Sequence, residues 1–80
     1  MSEIKPVVTF CEYGKVKINL RSIIDAKGIT KNKLAKMTGT RFEVVSKWCS
    51  GDIERIDADV LARFCYVLDC DVCDIIKYEA

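Results

Sequence analysis

Eighty residues carry 13 Lys+Arg against 12 Asp+Glu and no histidine, a formal charge of +1, with half of the residues apolar. That length fits one domain with a compact core, and the balance of apolar and charged residues is that of a globular chain. The missing imidazole excludes Ser-His-Asp and Cys-His nucleophile systems and His-rich metal sites. The longest apolar run, Phe64 to Leu68, is far short of a membrane span, and Met1 to Pro6 lacks the apolar stretch of a secretory signal, so a cytoplasmic protein is expected.

Taken in chain order, the first eighteen residues form an N-terminal arm. Val7 to Phe10 and Lys15 to Ile18 flank the turn-like Glu12-Tyr13-Gly14, and the second segment alternates charged and apolar residues as a half-exposed strand does. A short β-hairpin or strand is predicted over 1–18, ahead of a helical domain over 19–80. Leu20, Ile23 and Ile24 share one helical face, with Asn19 as N-cap and Gly28 just past the end. Thr30 caps a second short helix carrying Leu34 and Ala35, closed by Gly39. A third helix spans 41–50 with Val45 and Trp48 on one face and ends at Gly51. Asp57 caps a fourth, whose stripe Leu61, Phe64, Cys65 and Leu68 is the strongest core signal in the chain. Asp71 opens a last helical turn with Val72, Ile75 and Ile76.

Charge is distributed unevenly along this order. Residues 1–51 hold ten basic and four acidic side chains, whereas residues 52–80 hold three basic and eight acidic ones. An asymmetry of +6 against −5 points to a surface that faces a polyanion. The five cysteines are an odd number with no export signal, which argues against a disulfide framework. Cys70-Asp71-Val72-Cys73 has the C-x-x-C form, but no further ligands stand at zinc-finger spacing. Small buried hydrophobes in a helical core are the simpler account of Cys65 and Cys70, with a redox or metal switch as the alternative.

The segment Lys31 to Ser50 carries the functional signal. Counted as twenty positions, it has Leu34 at 4, Ala35 at 5, Gly39 at 9, Val45 at 15 and Trp48 at 18. A small residue at Ala35 lets two helices cross closely, and Gly39 supplies the left-handed backbone a tight turn needs. Leu34, Val45 and Trp48 seat the third helix on the core. Two helices joined by a four-residue turn define a helix-turn-helix. At about 100° per residue, Val45, Trp48 and Cys49 face inward, while Glu43, Ser46, Lys47 and Ser50 face outward.

Thr30 to Gly39, Val45-Ser46-Lys47-Trp48, Leu61 to Leu68 and Asp74-Ile75-Ile76 resemble the Cro/CI-type (XRE-like) helix-turn-helix regulators, over residues 19–78. The match looks closest to small bacterial and phage-like members without a separate sensor domain. The resemblance implies a mainly α, compact five-helix fold, no enzyme activity and no cofactor. It also implies a transcriptional regulator, a repressor by family habit, whose 41–50 helix enters the major groove of double-stranded DNA. Carried over by position, Phe42, Glu43 and Lys47 match base-contacting positions. Thr30, Lys31, Asn32 and Ser50 match phosphate-contacting ones, with Lys33 and Lys36 adding to the field. Arg41 suits a phosphate or a flanking guanine, and Thr40 and Ser46 complete the expected DNA-binding set, Ser46 on the outward face.

Two departures from the family pattern stand out. Arg41 occupies the usual Ser or Thr N-cap position, so a capping box of Thr40 with Glu43 one residue earlier is expected instead. The loop after Gly51, often basic in the family, reads Asp52-Ile53-Glu54-Arg55-Ile56-Asp57, leaving Arg55 as its one phosphate ligand. Alternatives stand beside these roles: Glu43 and Lys47 could bridge each other as an i, i+4 pair, and Phe42 could close the edge of the core. The small module implies a homodimer on a pseudo-palindromic operator. Its candidate surfaces are Val7 to Phe10 and the end containing Ile75, Ile76 and Tyr78. The sequence suggests no membrane and no small-molecule partner. A protein-interaction or antitoxin-like module of the same fold, binding a basic partner through the acidic 52–80 half, is the competing reading.

Overall fold

The computed structural model describes residues 13–80. In chain order these form β1 (Lys15–Ile18), α1 (Leu20–Lys27), α2 (Lys31–Thr38), α3 (Phe42–Ser50), α4 (Ala58–Leu68), α5 (Val72–Ile75) and β2 (Ile76–Glu79). The mainly helical architecture expected from the sequence is the one observed. Nine apolar side chains make the core, with at least one from every helix: Leu20 and Ile24, Leu34 and Ala35, Val45 and Trp48, Phe64 and Leu68, and Ile75. Burying each of the larger ones contributes about 1.5–3 kcal/mol relative to exposure. Trp48 meets Phe64 edge-on, with ring centroids 5.1 Å apart and planes at 82°. That contact joins α3 to α4 directly.

Helix ends follow local chemistry. Thr30 accepts a hydrogen bond from the Lys33 amide at the start of α2, and Asp57 Oδ1 accepts from the amides of Asp59 and Val60 at the start of α4. Asp74 Oδ2 accepts from the Asp71 amide, tying the first turn of α5. Gly28, Gly39 and Gly51 each close a helix with positive φ. At Gly39, φ is 67° in the turn between α2 and α3, a conformation that costs an L side chain roughly 1–2 kcal/mol. The fourth helix closes on Asp69, at φ 52° the one non-glycine residue with positive φ among those described. No glycine signal marks that end in the sequence. Asn19 precedes α1 without a side-chain cap; its amide instead donates to the Ile75 carbonyl at 2.6 Å.

The strand predicted over Lys15 to Ile18 is present, and it pairs with the C-terminal strand. β1 and β2 are antiparallel, with Lys15 opposite Glu79, Val16 opposite Tyr78, Lys17 opposite Lys77 and Ile18 opposite Ile76. The other half of the expected hairpin, Val7 to Phe10, lies outside the described residues. Ile18 and Ile76 pack against the core, while Val16 and Tyr78 at the other end of the same sheet face are exposed. Gly14 lies just outside the ladder: its backbone amide donates to the Tyr78 side-chain hydroxyl at 2.8 Å, and a β-carbon there would collide with the Glu79 carbonyl. The last helical turn is one residue shorter than predicted, because Ile76 turns into β2. Ile75 is wholly buried and therefore offers nothing to a partner surface. No helix among the described residues is long and apolar enough to cross a membrane.

Candidate nucleic-acid interface

The helix pair α2–α3 is held from three sides. Helix α3 packs on α1 and α2, and α2 packs on α4. Val45 and Trp48 on the inner side of α3 are buried, which turns Phe42, Glu43 and Lys47 outward, all three exposed. Phe42 keeps 45% of its surface accessible, so it does not close the core edge as the alternative had it. Ser46 and Thr40 are half-buried, whereas Thr30, Asn32, Arg41, Ser50 and Arg55 are exposed and Lys31 is intermediate. The candidate residues thus fall into three groups: the start of α2, the outward side of α3, and the 52–57 loop.

The start of α3 differs from expectation. Its N-cap is Arg41, with no side-chain cap. The Thr40 hydroxyl lies 2.7 Å from the Thr38 hydroxyl, and Thr38 donates in turn to the Leu34 carbonyl at 2.7 Å. Thr40 is thereby turned back onto α2, and the capping box with Glu43 does not form. Ser50 is also engaged locally: its hydroxyl donates to the Lys47 carbonyl at 2.9 Å.

Electrostatics distinguish this side from the rest of the domain. Lys31 to Ser50 contains five basic residues and one acidic one. None of those cations lies within 4.0 Å of a carboxylate among the described residues; the ion pairs present are Lys17–Glu79, Arg21–Asp25 and Arg63–Asp59. Glu43 and Lys47 therefore do not neutralise each other. An open groove of about 550 Å³ separates α3 from the following loop, lined in part by Lys47, Trp48, Asp52, Ile53, Glu54 and Arg55. Arg55 and Lys47 share that groove with acids, so their field there is weaker than that of Lys31, which stands outside it.

Among the described residues the cysteines are free thiols, none of them in a disulfide. Burial pushes the Cys49 and Cys70 thiols up, with Cys65 and Asp74 adding to the effect at Cys70. A raised pKa leaves less thiolate at neutral pH, the reverse of what a redox C-x-x-C needs. Among the described residues no group of three His, Cys, Asp or Glu is disposed to hold a metal ion.

Five short helices around one core, with α2, a glycine turn and α3 presenting cations that pair with no carboxylate among the described residues, define a helix-turn-helix DNA-binding module. The chain belongs to the Cro/C1-type HTH DNA-binding domain family, which residues 19–80 match. That family is a DNA-binding domain and not an enzyme class. No curated protein matches the chain. Among solved structures, a Bacteroides fragilis protein classed as DNA-binding is similar at 22% identity and a TM-score of 0.69, over 79% of this chain and all of that one. The transcriptional regulator VanUg is 22% identical with a TM-score of 0.68, over 89% of this chain and 93% of that one. The clp gene regulator ClgR of Corynebacterium glutamicum is 29% identical with a TM-score of 0.61; the match covers 69% of this chain and 57% of ClgR. The first two likenesses concern the fold.

Proposed function

We propose that the protein is a sequence-specific transcriptional regulator that inserts α3 into the major groove and acts as a repressor. The observation that carries this is the set of five cations in Lys31 to Ser50 with no carboxylate partner among the described residues. An unpaired cation keeps its full attraction for phosphate and releases counterions on binding. On this reading Lys47 reads guanine O6/N7, Glu43 accepts from cytosine N4, and Phe42 meets a thymine methyl. Lys31 and Asn32, with Thr30 beside them, hold phosphates at the start of α2, joined by Arg41 and Arg55, and by Ser50 once its hydroxyl turns from the Lys47 carbonyl. A protein seated in the groove blocks other readers of the same bases, which is the route by which it would repress. The regulators VanUg and ClgR lend support by likeness of fold.

Dimerisation belongs to the same proposal. Val16 and Tyr78 expose an apolar end of the sheet, and β2 has one edge that no described strand pairs. Exposed strand edges pair readily with a twin. A second reading, docking of a basic protein on the acidic half, is favoured by Tyr66, which stands 88% exposed on α4. Selection of random duplex DNA by the purified protein at two salt concentrations tests both. The expected result is a motif of two half-sites about one helical turn apart, with log affinity falling by roughly 0.9 per phosphate contact for each unit of log salt. Lys47→Ala should erase the motif and Tyr66→Ala should leave it intact. No enriched motif at low salt overturns the reading.

A further inference from the structure

The turn between α2 and α3 decides how α3 leans toward DNA, yet no side-chain cap holds the start of α3. Arg41 caps without a side-chain bond, and Thr40 is bound back to Thr38. The restraint comes instead from α4. Arg63 Nη1 donates to the Thr38 carbonyl at 3.1 Å and reaches the Gly39 carbonyl at 3.5 Å. Both carbonyls belong to the C-terminal end of α2, which lacks intrahelical donors and carries the negative pole of the helix. On its other side the guanidinium is fixed by Asp59, with Nε to Oδ2 at 3.0 Å, one turn earlier on α4. This is the shortest of the three ion pairs among the described residues. A planar fork held at both ends loses little freedom in gripping two neighbouring carbonyls.

We propose that Arg63, oriented by Asp59, is a positioning residue that clamps the α2–α3 turn and thereby sets the angle at which α3 meets the bases. It acts through the turn backbone and touches no base. The inference rests on the DNA-reading function above, and it deepens that reading by placing a determinant of specificity behind the recognition helix.

The test combines binding and exchange, with Arg63→Ala, Arg63→Lys and Asp59→Asn compared well below their melting temperatures. For Arg63→Ala, affinity for the selected motif should fall about tenfold, in line with loss of a charge-assisted hydrogen bond, while affinity for unrelated duplex changes little. The slope of log affinity against log salt should stay the same, since no phosphate contact is lost. The Thr40 amide, bonded to the Ala35 carbonyl at 3.1 Å, should exchange faster. Arg63→Lys should recover part of both effects.

Asp59→Asn gives a contest of sign. Removing a negative charge alone tightens DNA binding, whereas loosening the clamp weakens binding to the motif. Tighter binding by Asp59→Asn overturns the proposal. So does a loss in Arg63→Ala that is equal on all sequences with the salt slope smaller by about one, the mark of a phosphate ligand. If the wild-type protein selects no motif, the DNA reading fails, and Thr40 exchange alone then decides whether the clamp exists.

Discussion

The helix starts on the two sides of this domain are built differently. α4 begins on Asp57, whose carboxylate takes two backbone amides, and at the start of α5 the Asp74 carboxylate takes the Asp71 amide. These two helices seal their positive ends with their own negative charge. α2 begins on a neutral hydroxyl that takes a single amide, and α3 begins with no side-chain cap at all. A helix start left open in this way keeps its donors and its dipole for an external anion. The difference separates α2 and α3, on the side equipped for a polyanion, from α4 and α5; α1, also without a side-chain cap, begins against the Ile75 carbonyl inside the domain. Net charge alone conceals it, since the two sides sum to +1.

The comparison can be broken most severely where the two sides are joined. Trp48→Ala removes the aromatic seam between α3 and α4 and should cost about 3–5 kcal/mol, much of the ~5–15 kcal/mol that holds a domain of this kind folded. Thermal or urea unfolding measures it, and a cost below about 1 kcal/mol would mean the seam is not what unites the halves. A paired edit sharpens the contrast. Asp57→Ala and Thr30→Ala should each cost about 1 kcal/mol of stability, with opposite outcomes on DNA: binding unchanged or tighter for Asp57→Ala, weaker for Thr30→Ala. Titration of a fluorescent duplex at one low salt concentration shows the sign. The smallest effect is expected in the loop. Asp52→Asn with Glu54→Gln should tighten binding to unrelated duplex a few-fold, with stability moved by less than ~0.5 kcal/mol.

Most of the helical frame was legible because its signals are local. Thr30, Asp57 and the glycines at 28, 39 and 51 mark starts and stops through backbone chemistry within a few residues, and the buried sets in each helix follow the apolar spacing. The end of the chain was harder. Ile75 and Ile76 continue a helical pattern, but Ile76 is needed opposite Ile18 in the sheet, and no short-range rule encodes a strand partner so distant. The capping box failed for a related reason: Thr38, two residues before Thr40, competes for its hydroxyl. The outward side of α3 was readable from helical rotation about Val45 and Trp48. The grip of Arg63 on the turn was not, because it links a side chain to carbonyls 24 and 25 residues away.

The pairing of β1 with β2 also bears on the order in which the molecule assembles. Gly14 and Tyr78, hydrogen-bonded beside the outer end of the ladder, are 64 residues apart. Bringing ends that distant together from an extended chain costs roughly 2.5 kcal/mol in closure entropy beyond the cost for a loop of about four residues, for a ladder of only four residue pairs. The helices, whose contacts are nearer in sequence, must shorten that loop first. Folding of this domain should then run at the pace of a small helical bundle, with the strands zipping last. Their amides should be the first to open in the native state.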